Sequence, residues 1–121
     1  MKSASILLVE AEILTLWALE EMLKSEGYEV CTAESGEEAL RSISERDMDL
    51  VISDMELPGI TGLDVLLQIR KRYPQQKVII ITSEDFEELI EKAREECVDD
   101  FIFKPFLINE VTYRVKKVLE A

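Results

Sequence analysis

Four side chains able to take part in phosphate chemistry each stand at the end of a short apolar run. Glu10 follows Ile6-Leu7-Leu8-Val9, Asp54 follows Leu50-Val51-Ile52-Ser53, Thr82 follows Val78-Ile79-Ile80-Ile81 and Lys104 follows Phe101-Ile102-Phe103. A carboxylate can attack phosphorus, a hydroxyl can donate to a phosphoryl oxygen and an ammonium can neutralise one. If the runs are parallel strands of one sheet, their carboxyl ends share an edge, where open α/β sheets place their ligand sites. Each residue alone is a weak signal, since an Asp after a strand is usually a turn or helix-cap residue. Their common placement is what carries weight.

The elements that must position them alternate along the chain. Glu12 to Glu26 carries Thr15, Ala18, Leu19, Met22 and Leu23 at helical spacing, with Gly27 suited to a C-terminal cap. Tyr28 to Ala33 reads as a second strand, and Ser35-Gly36-Glu37-Glu38 opens a helix with Ala39, Leu40 and Ile43 apolar. Asp49 to Ser53 leads through Met55-Glu56-Leu57-Pro58-Gly59-Ile60-Thr61 into a helix with Leu63, Leu66, Leu67 and Ile69, ended by Pro74. Lys77 to Thr82 is nearly all β-branched, as a strand buried on both faces should be, and Phe86 to Glu96 follows as a helix. Asp100 to Phe103 is the fifth strand and Asn109 to Leu119 the last helix. This alternation predicts an α/β fold: a five-stranded parallel sheet with helices on both faces.

Composition narrows the function classes. The 121 residues suit one domain spanning 1–121, with no linker, repeat or low-complexity segment. With 14 Lys and Arg against 26 Asp and Glu, the net charge of −12 repels nucleic acid and anionic membrane surfaces. No apolar stretch approaches the roughly 20 residues of a membrane span. Met1-Lys2-Ser3 runs straight into the first strand without the regions of a signal peptide, so a cytoplasmic location is expected. Cys31 and Cys97, with no histidine in the chain, provide neither a disulfide framework nor a zinc ligand set, and are expected as reduced thiols.

Four motifs, in order, now point to a family: Val9-Glu10-Ala11-Glu12, Asp54-Met55-Glu56-Leu57-Pro58-Gly59-Ile60-Thr61-Gly62, Ile81-Thr82-Ser83 and Lys104-Pro105-Phe106. Over its whole length the chain resembles the receiver domain of bacterial response regulators. The resemblance implies the flavodoxin-like strand order 2-1-3-4-5, which sets Glu10 and Asp54 on adjacent strands at the topological switch point. It implies that Asp54 accepts a phosphoryl group from a phosphohistidine on a sensor histidine kinase or phosphotransfer protein. Lys104 and Thr82 would contact that group, and Phe101 matches the aromatic switch position. Such a protein is a phosphoacceptor in a two-component phosphorelay, catalysing at most its own phosphorylation and dephosphorylation, and is not otherwise an enzyme. Lys104-Pro105 matches a bond that is often cis in the family.

The resemblance also implies Mg²⁺, held by Glu10, Asp54 and the Glu56 backbone carbonyl. Here the chain departs from the pattern, because Ala11 stands where the family commonly has an acid that contacts the metal directly. A methyl group cannot coordinate Mg²⁺, so the site is weakened, although Mg²⁺ often manages with one or two carboxylates plus water and phosphate oxygens. The alternative is a phosphorylation-independent pseudo-receiver acting as an interaction module. A more distant rival is a haloacid-dehalogenase-type phosphohydrolase with Asp54 as nucleophile and Glu56 as second acid. That family has aspartate at the second position followed by Gly-Thr/Val, which this chain lacks.

Three further features concern the surface. Ile13 and Trp17 fall outside the expected inward stripe of the first helix, at an end that the resemblance assigns to docking of the phosphodonor. Arg114, Lys116 and Lys117 form a basic patch on the last helix, consistent with a homodimer or output contact, with a merely solvated helix face the favoured reading. Cys97 occupies a position after the fourth helix where receivers usually carry glycine; it is expected as a small packed hydrophobe, with αL geometry or an altered helix end.

Overall fold

The computed structural model describes residues 3–121. Met1 and Lys2, part of the segment read above as lacking signal-peptide regions, lie outside the described residues. Five strands, β1 (Ser5–Val9), β2 (Glu29–Ala33), β3 (Leu50–Asp54), β4 (Val78–Thr82) and β5 (Asp100–Phe103), alternate with five helices. These are α1 (Ile13–Ser25), α2 (Gly36–Glu45), α3 (Gly62–Arg72), α4 (Glu87–Glu95) and α5 (Ile108–Glu120). All pairings are parallel and the order is β2-β1-β3-β4-β5, as expected.

Successive strand side chains point to opposite faces, and each face buries its own helices. Leu7, Val9, Val51 and Ile80 pack with Ala39 and Ile43 of α2, Leu66 and Ile69 of α3 and Ala93 of α4. Ile6, Leu8, Ile52, Ile79 and Ile102 pack with Leu16, Leu19 and Leu23 of α1 and Val111, Val115 and Val118 of α5. Strands β1, β3 and β4 are buried along their whole length, and apolar except at Ser5, Ser53, Asp54 and Thr82, because both of their faces are covered.

The inward stripe of α1 differs from the expected one. Leu16, Leu19 and Leu23 are buried, whereas Thr15, Ala18 and Met22 are half-buried at its margin. The set i, i+3, i+7 takes the branched leucines, which fill more volume under β1 and β3 than Thr15 or Ala18 could. Ser35 accepts from the Glu38 N–H at the start of α2, as its motif suggested, and Glu12 caps α1 by accepting from the Leu14 and Thr15 N–H groups. Thr61 and Asp64 form a reciprocal capping box at the start of α3.

Cys97 follows α4 with φ 57°, the left-handed conformation, and its side chain is exposed, not packed as the sequence suggested. Packing does not explain its conformation; hydrogen bonding does. The Val98 N–H closes on the Ala93 carbonyl at 3.4 Å, and the Arg70 guanidinium donates to the carbonyls of Glu96 at 2.8 Å and Cys97 at 3.1 Å. Left-handed backbone costs a non-glycine residue roughly 1–2 kcal/mol, against about 0.4–1 kcal/mol of extra unfolded-state freedom when glycine is introduced. Cys97→Gly should therefore raise the urea-unfolding free energy by about 0.5–1 kcal/mol. An unchanged or lowered midpoint would show that the cysteine is not strained.

Candidate functional site

Strand register brings the four chemical residues to one edge. Val9 pairs with Ser53, so Glu10 and Asp54 leave adjacent strands side by side. Asp54 pairs with Ile81, one residue before Thr82, and Thr82 pairs with Phe103, one residue before Lys104. The convergence expected from the strand ends is thus a consequence of parallel pairing.

Asp54 is 2% exposed, and both of its carboxylate oxygens are engaged. Oδ2 contacts the Lys104 ammonium at 2.6 Å, and Oδ1 accepts from the Glu56 N–H at 2.9 Å. The loop beyond it is held close by two backbone bonds, Met55 N–H to the Ile81 carbonyl and Gly62 N–H to the Met55 carbonyl, at 2.8 and 2.9 Å. Gly62 is needed for this approach, because a Cβ there would collide with the Asp54 carbonyl oxygen and lie 2.8 Å from the Met55 Cα. The Lys104-Pro105 peptide is cis, as the motif suggested.

Glu10 is 3% exposed and its Oε2 accepts from the Glu12 N–H at 3.4 Å. Burial first, then the charge of Asp54 and a hydrogen bond to it, push the Glu10 carboxyl from 4.5 up to about 7. Burial alone would lower the Lys104 ammonium, but its hydrogen bond to Asp54 and the charges of Asp54, Glu10 and Glu56 outweigh it and hold the group above its ordinary value. Thr82 is buried and its Oγ1 donates to the Ser83 carbonyl at 3.1 Å. Glu56 and Glu84 keep exposed side chains at the rim, and Glu12 faces solvent as an N-cap.

Phe101, buried on β5, stacks on Phe103 with ring centroids 5.9 Å apart, and the Arg94 guanidinium of α4 lies 5.1 Å from its centroid. The sequence reading did not find Arg94; an Arg on the outer face of a helix gives no signal of what it will cover. Ile13 and Trp17 are 57% and 63% exposed, as expected. Leu14, Leu107 and Ile108 join them as exposed apolar residues. Every helix begins at the carboxyl edge of a parallel sheet, so these residues at the starts of α1 and α5 flank the Asp54 edge. Leu14 was concealed because two adjacent apolar pairs, Ile13-Leu14 and Leu16-Trp17, separated only by Thr15, leave the helix phase ambiguous from sequence. The basic patch on α5 is smaller than it looks in sequence: Arg114 is paired with Asp100 at 2.9 Å and Glu110 at 3.2 Å, leaving Lys116 exposed and Lys117 over the Tyr113 ring.

Residues 6–116 match the family model of the response regulator receiver domain. The chain belongs to this family. The receiver is 35% identical over 114 residues to the alkaline phosphatase synthesis transcriptional regulatory protein PhoP of Bacillus subtilis, covering 94% of this chain and 48% of that protein. It is 33% identical over 115 residues to a cyclic di-GMP phosphodiesterase of Thermotoga maritima, covering 95% of this chain and 31% of that protein. The receiver thus spans less than half the length of these curated relatives. Among solved structures, the response regulator TrrA of Thermotoga maritima, in complex with Mg²⁺-BeF, superposes with a TM-score of 0.84 at 38% identity, covering 95% of this chain and 98% of that one. Receivers of this family work in two-component systems, with histidine kinases or phosphotransfer proteins and output domains as partners.

Receivers typically bind Mg²⁺, and the donor set here can be tested against that ion. Two buried carboxylates, Glu10 and Asp54, meet at this edge and provide hard oxygens of the kind Mg²⁺ takes, and the Glu56 N–H donates to Asp54 beside them. Among the described residues no three acidic, cysteine or histidine side chains group at metal-binding distances. The side chains by themselves therefore supply two oxygen ligands, and a Mg²⁺ held here would need phosphoryl oxygens among its remaining ligands. No helix among the described residues is long and apolar enough to cross a membrane.

The raised Glu10 group has a consequence for stability. Its folded value of about 7 lies above the unfolded 4.5, so the folded chain holds the extra proton between these values. In metal-free buffer its stabilising contribution should be complete below pH about 4.5 and be lost as pH rises through about 7. Glu10→Gln should flatten this part of the stability profile, measured by urea unfolding against pH; an unaltered slope would locate the titration elsewhere.

Proposed function

We propose that the chain, as a single receiver domain over 1–121, accepts a phosphoryl group on Asp54 from a phosphohistidine of a sensor histidine kinase or phosphotransfer protein. The observation that carries this reading is the buried Asp54 carboxylate in a 2.6 Å ion pair with Lys104. An Asp54 oxygen forms the new O–P bond as the P–N bond to the donor imidazole breaks, the electron pair leaving with that nitrogen. The Lys104 ammonium then has phosphoryl oxygens to neutralise, and the Thr82 hydroxyl, one strand over, exchanges the Ser83 carbonyl for a phosphoryl oxygen. Mg²⁺ on Glu10, Asp54 and the Glu56 carbonyl supplies further charge neutralisation when bound. Phe101, beneath Arg94, is the side chain through which the change reaches α4 and β5.

The reading keeps the chain a phosphoacceptor rather than an enzyme on other substrates, and a cytoplasmic location suits its donor. Exposed Ile13 and Trp17, with Leu14, Leu107 and Ile108, support docking of the donor at the Asp54 edge. The last helix, through Tyr113, Lys116 and Lys117, is the proposed face for a second copy or an output protein; the charge of −12 argues against direct nucleic-acid contact. Ala11 favours a second reading, a pseudo-receiver that signals by binding alone.

Phosphoramidate or acetyl phosphate with Mg²⁺ separates the two. Intact mass should show the gain of one phosphoryl group on the natural chain and none on Asp54→Asn. No gain on the natural chain, where a control receiver is labelled, would leave the pseudo-receiver. Ile13→Ala/Trp17→Ala should weaken donor binding about tenfold, the loss of one interface anchor, while changing stability by less than about 0.5 kcal/mol. A large loss of melting temperature with unchanged binding would make the pair structural.

A further inference from the structure

We infer that Glu10, Asp54 and the Glu56 carbonyl hold a divalent cation only jointly with a phosphoryl group, so that this chain keeps no cation stored at the site beforehand. The inference rests on the phosphoacceptor reading and concerns the order in which that site is filled.

The number of oxygens is the first reason. Mg²⁺ demands a near-octahedral oxygen shell and gives up water reluctantly. The protein offers two buried carboxylates, Glu10 just past β1 and Asp54 at the end of β3, with the Glu56 backbone beside them; Ala11, half-buried next to Glu10, presents a methyl group. The other nearby acids do not make up the deficit. Glu12 is occupied in capping α1, and Glu56 and Glu84 have exposed side chains.

Competition is the second. Asp54 Oδ2 already has a cation, the Lys104 ammonium at 2.6 Å, and Oδ1 carries the Glu56 N–H at 2.9 Å. A divalent ion arriving alone must share Asp54 with an ammonium that has no other carboxylate partner within ion-pair distance among the described residues. A phosphoryl group removes both obstacles. It brings about −1.5 to −2 of charge and three acceptor oxygens, enough to take over the ammonium and to complete the shell of a cation bridged by Glu10.

By linkage, the cation must then strengthen binding of a phosphoryl mimic by the same factor that the mimic strengthens binding of the cation. The unliganded chain would be indifferent to Mg²⁺, and cation dependence would surface only at the phosphoryl step.

Calorimetry and amide chemical shifts of the full chain test this with Mg²⁺ alone, beryllium fluoride alone and both together, on the natural chain and on Ala11→Asp, whose fold is checked by circular dichroism. The expected result is no saturation of the natural chain by Mg²⁺ alone, saturation when beryllium fluoride is present, and Mg²⁺ binding by Ala11→Asp alone that is at least about tenfold tighter. The comparison with and without beryllium fluoride on the natural chain stands by itself should the variant misfold. Saturation of the natural chain by Mg²⁺ alone, as tight as with beryllium fluoride, overturns the inference; if phosphoramidate still labels Asp54, the phosphoacceptor reading survives it. If neither beryllium fluoride nor phosphoramidate acts on the natural chain while Ala11→Asp responds to both, the inference and the phosphoacceptor reading fall together.

Discussion

Two carboxylates buried side by side at the strand ends, with one ammonium to neutralise them, form the constraint around which the upper edge of this molecule is arranged. Burying a charge is costly unless it is paired and hydrogen-bonded. Asp54 meets that demand with Lys104 and the Glu56 N–H. Glu10 has no ion-pair partner among the described residues, and burial together with the charge of Asp54 pushes its carboxyl up to about 7. With both carboxylates ionised, the Glu10, Asp54 and Lys104 side chains together are one positive charge short of neutrality.

The surrounding fold exists to hold that arrangement still. Parallel pairing sets the registers that bring Glu10, Asp54, Thr82 and Lys104 to neighbouring strand ends. Strands covered on both faces cannot slide without moving whole rows of Ile, Val and Leu from one core cluster to the other. Gly62 lets the loop after Asp54 fold back onto the strand end, where any side chain would strike the Asp54 carbonyl. Rigid strands and a tight loop keep the carboxylate within reach of its ammonium while the helix starts around it stay open to solvent.

That openness is the other half of the design. Ile13, Leu14, Trp17, Leu107 and Ile108 expose apolar surface at helix starts that flank the buried charges. A partner seated on them would exclude water from Asp54, strengthening every electrostatic interaction there. On the adjoining flank, Arg94 over Phe101 and Phe101 on Phe103 connect α4 to β5.

Periodicity and strand-end chemistry were enough to establish the five βα units, the parallel sheet and the four residues of the edge, because those properties follow from local pattern and from the rule that parallel strands end together. Element ends needed shifts of only a residue or two. Local pattern could not choose Leu16 over Thr15 and Ala18 for the inward stripe of α1, since volume under the sheet decided that. Nor could it show that Arg114 is paired with Asp100 from β5, that Arg70 supports the left-handed Cys97, or that Arg94 covers Phe101. Each depends on residues distant in the chain. The sequence by itself determined which groups stand at the edge and that an alanine follows Glu10. Tertiary structure decided their charge states and partners, because burial and proximity, not residue type, set how two carboxylates share one ammonium.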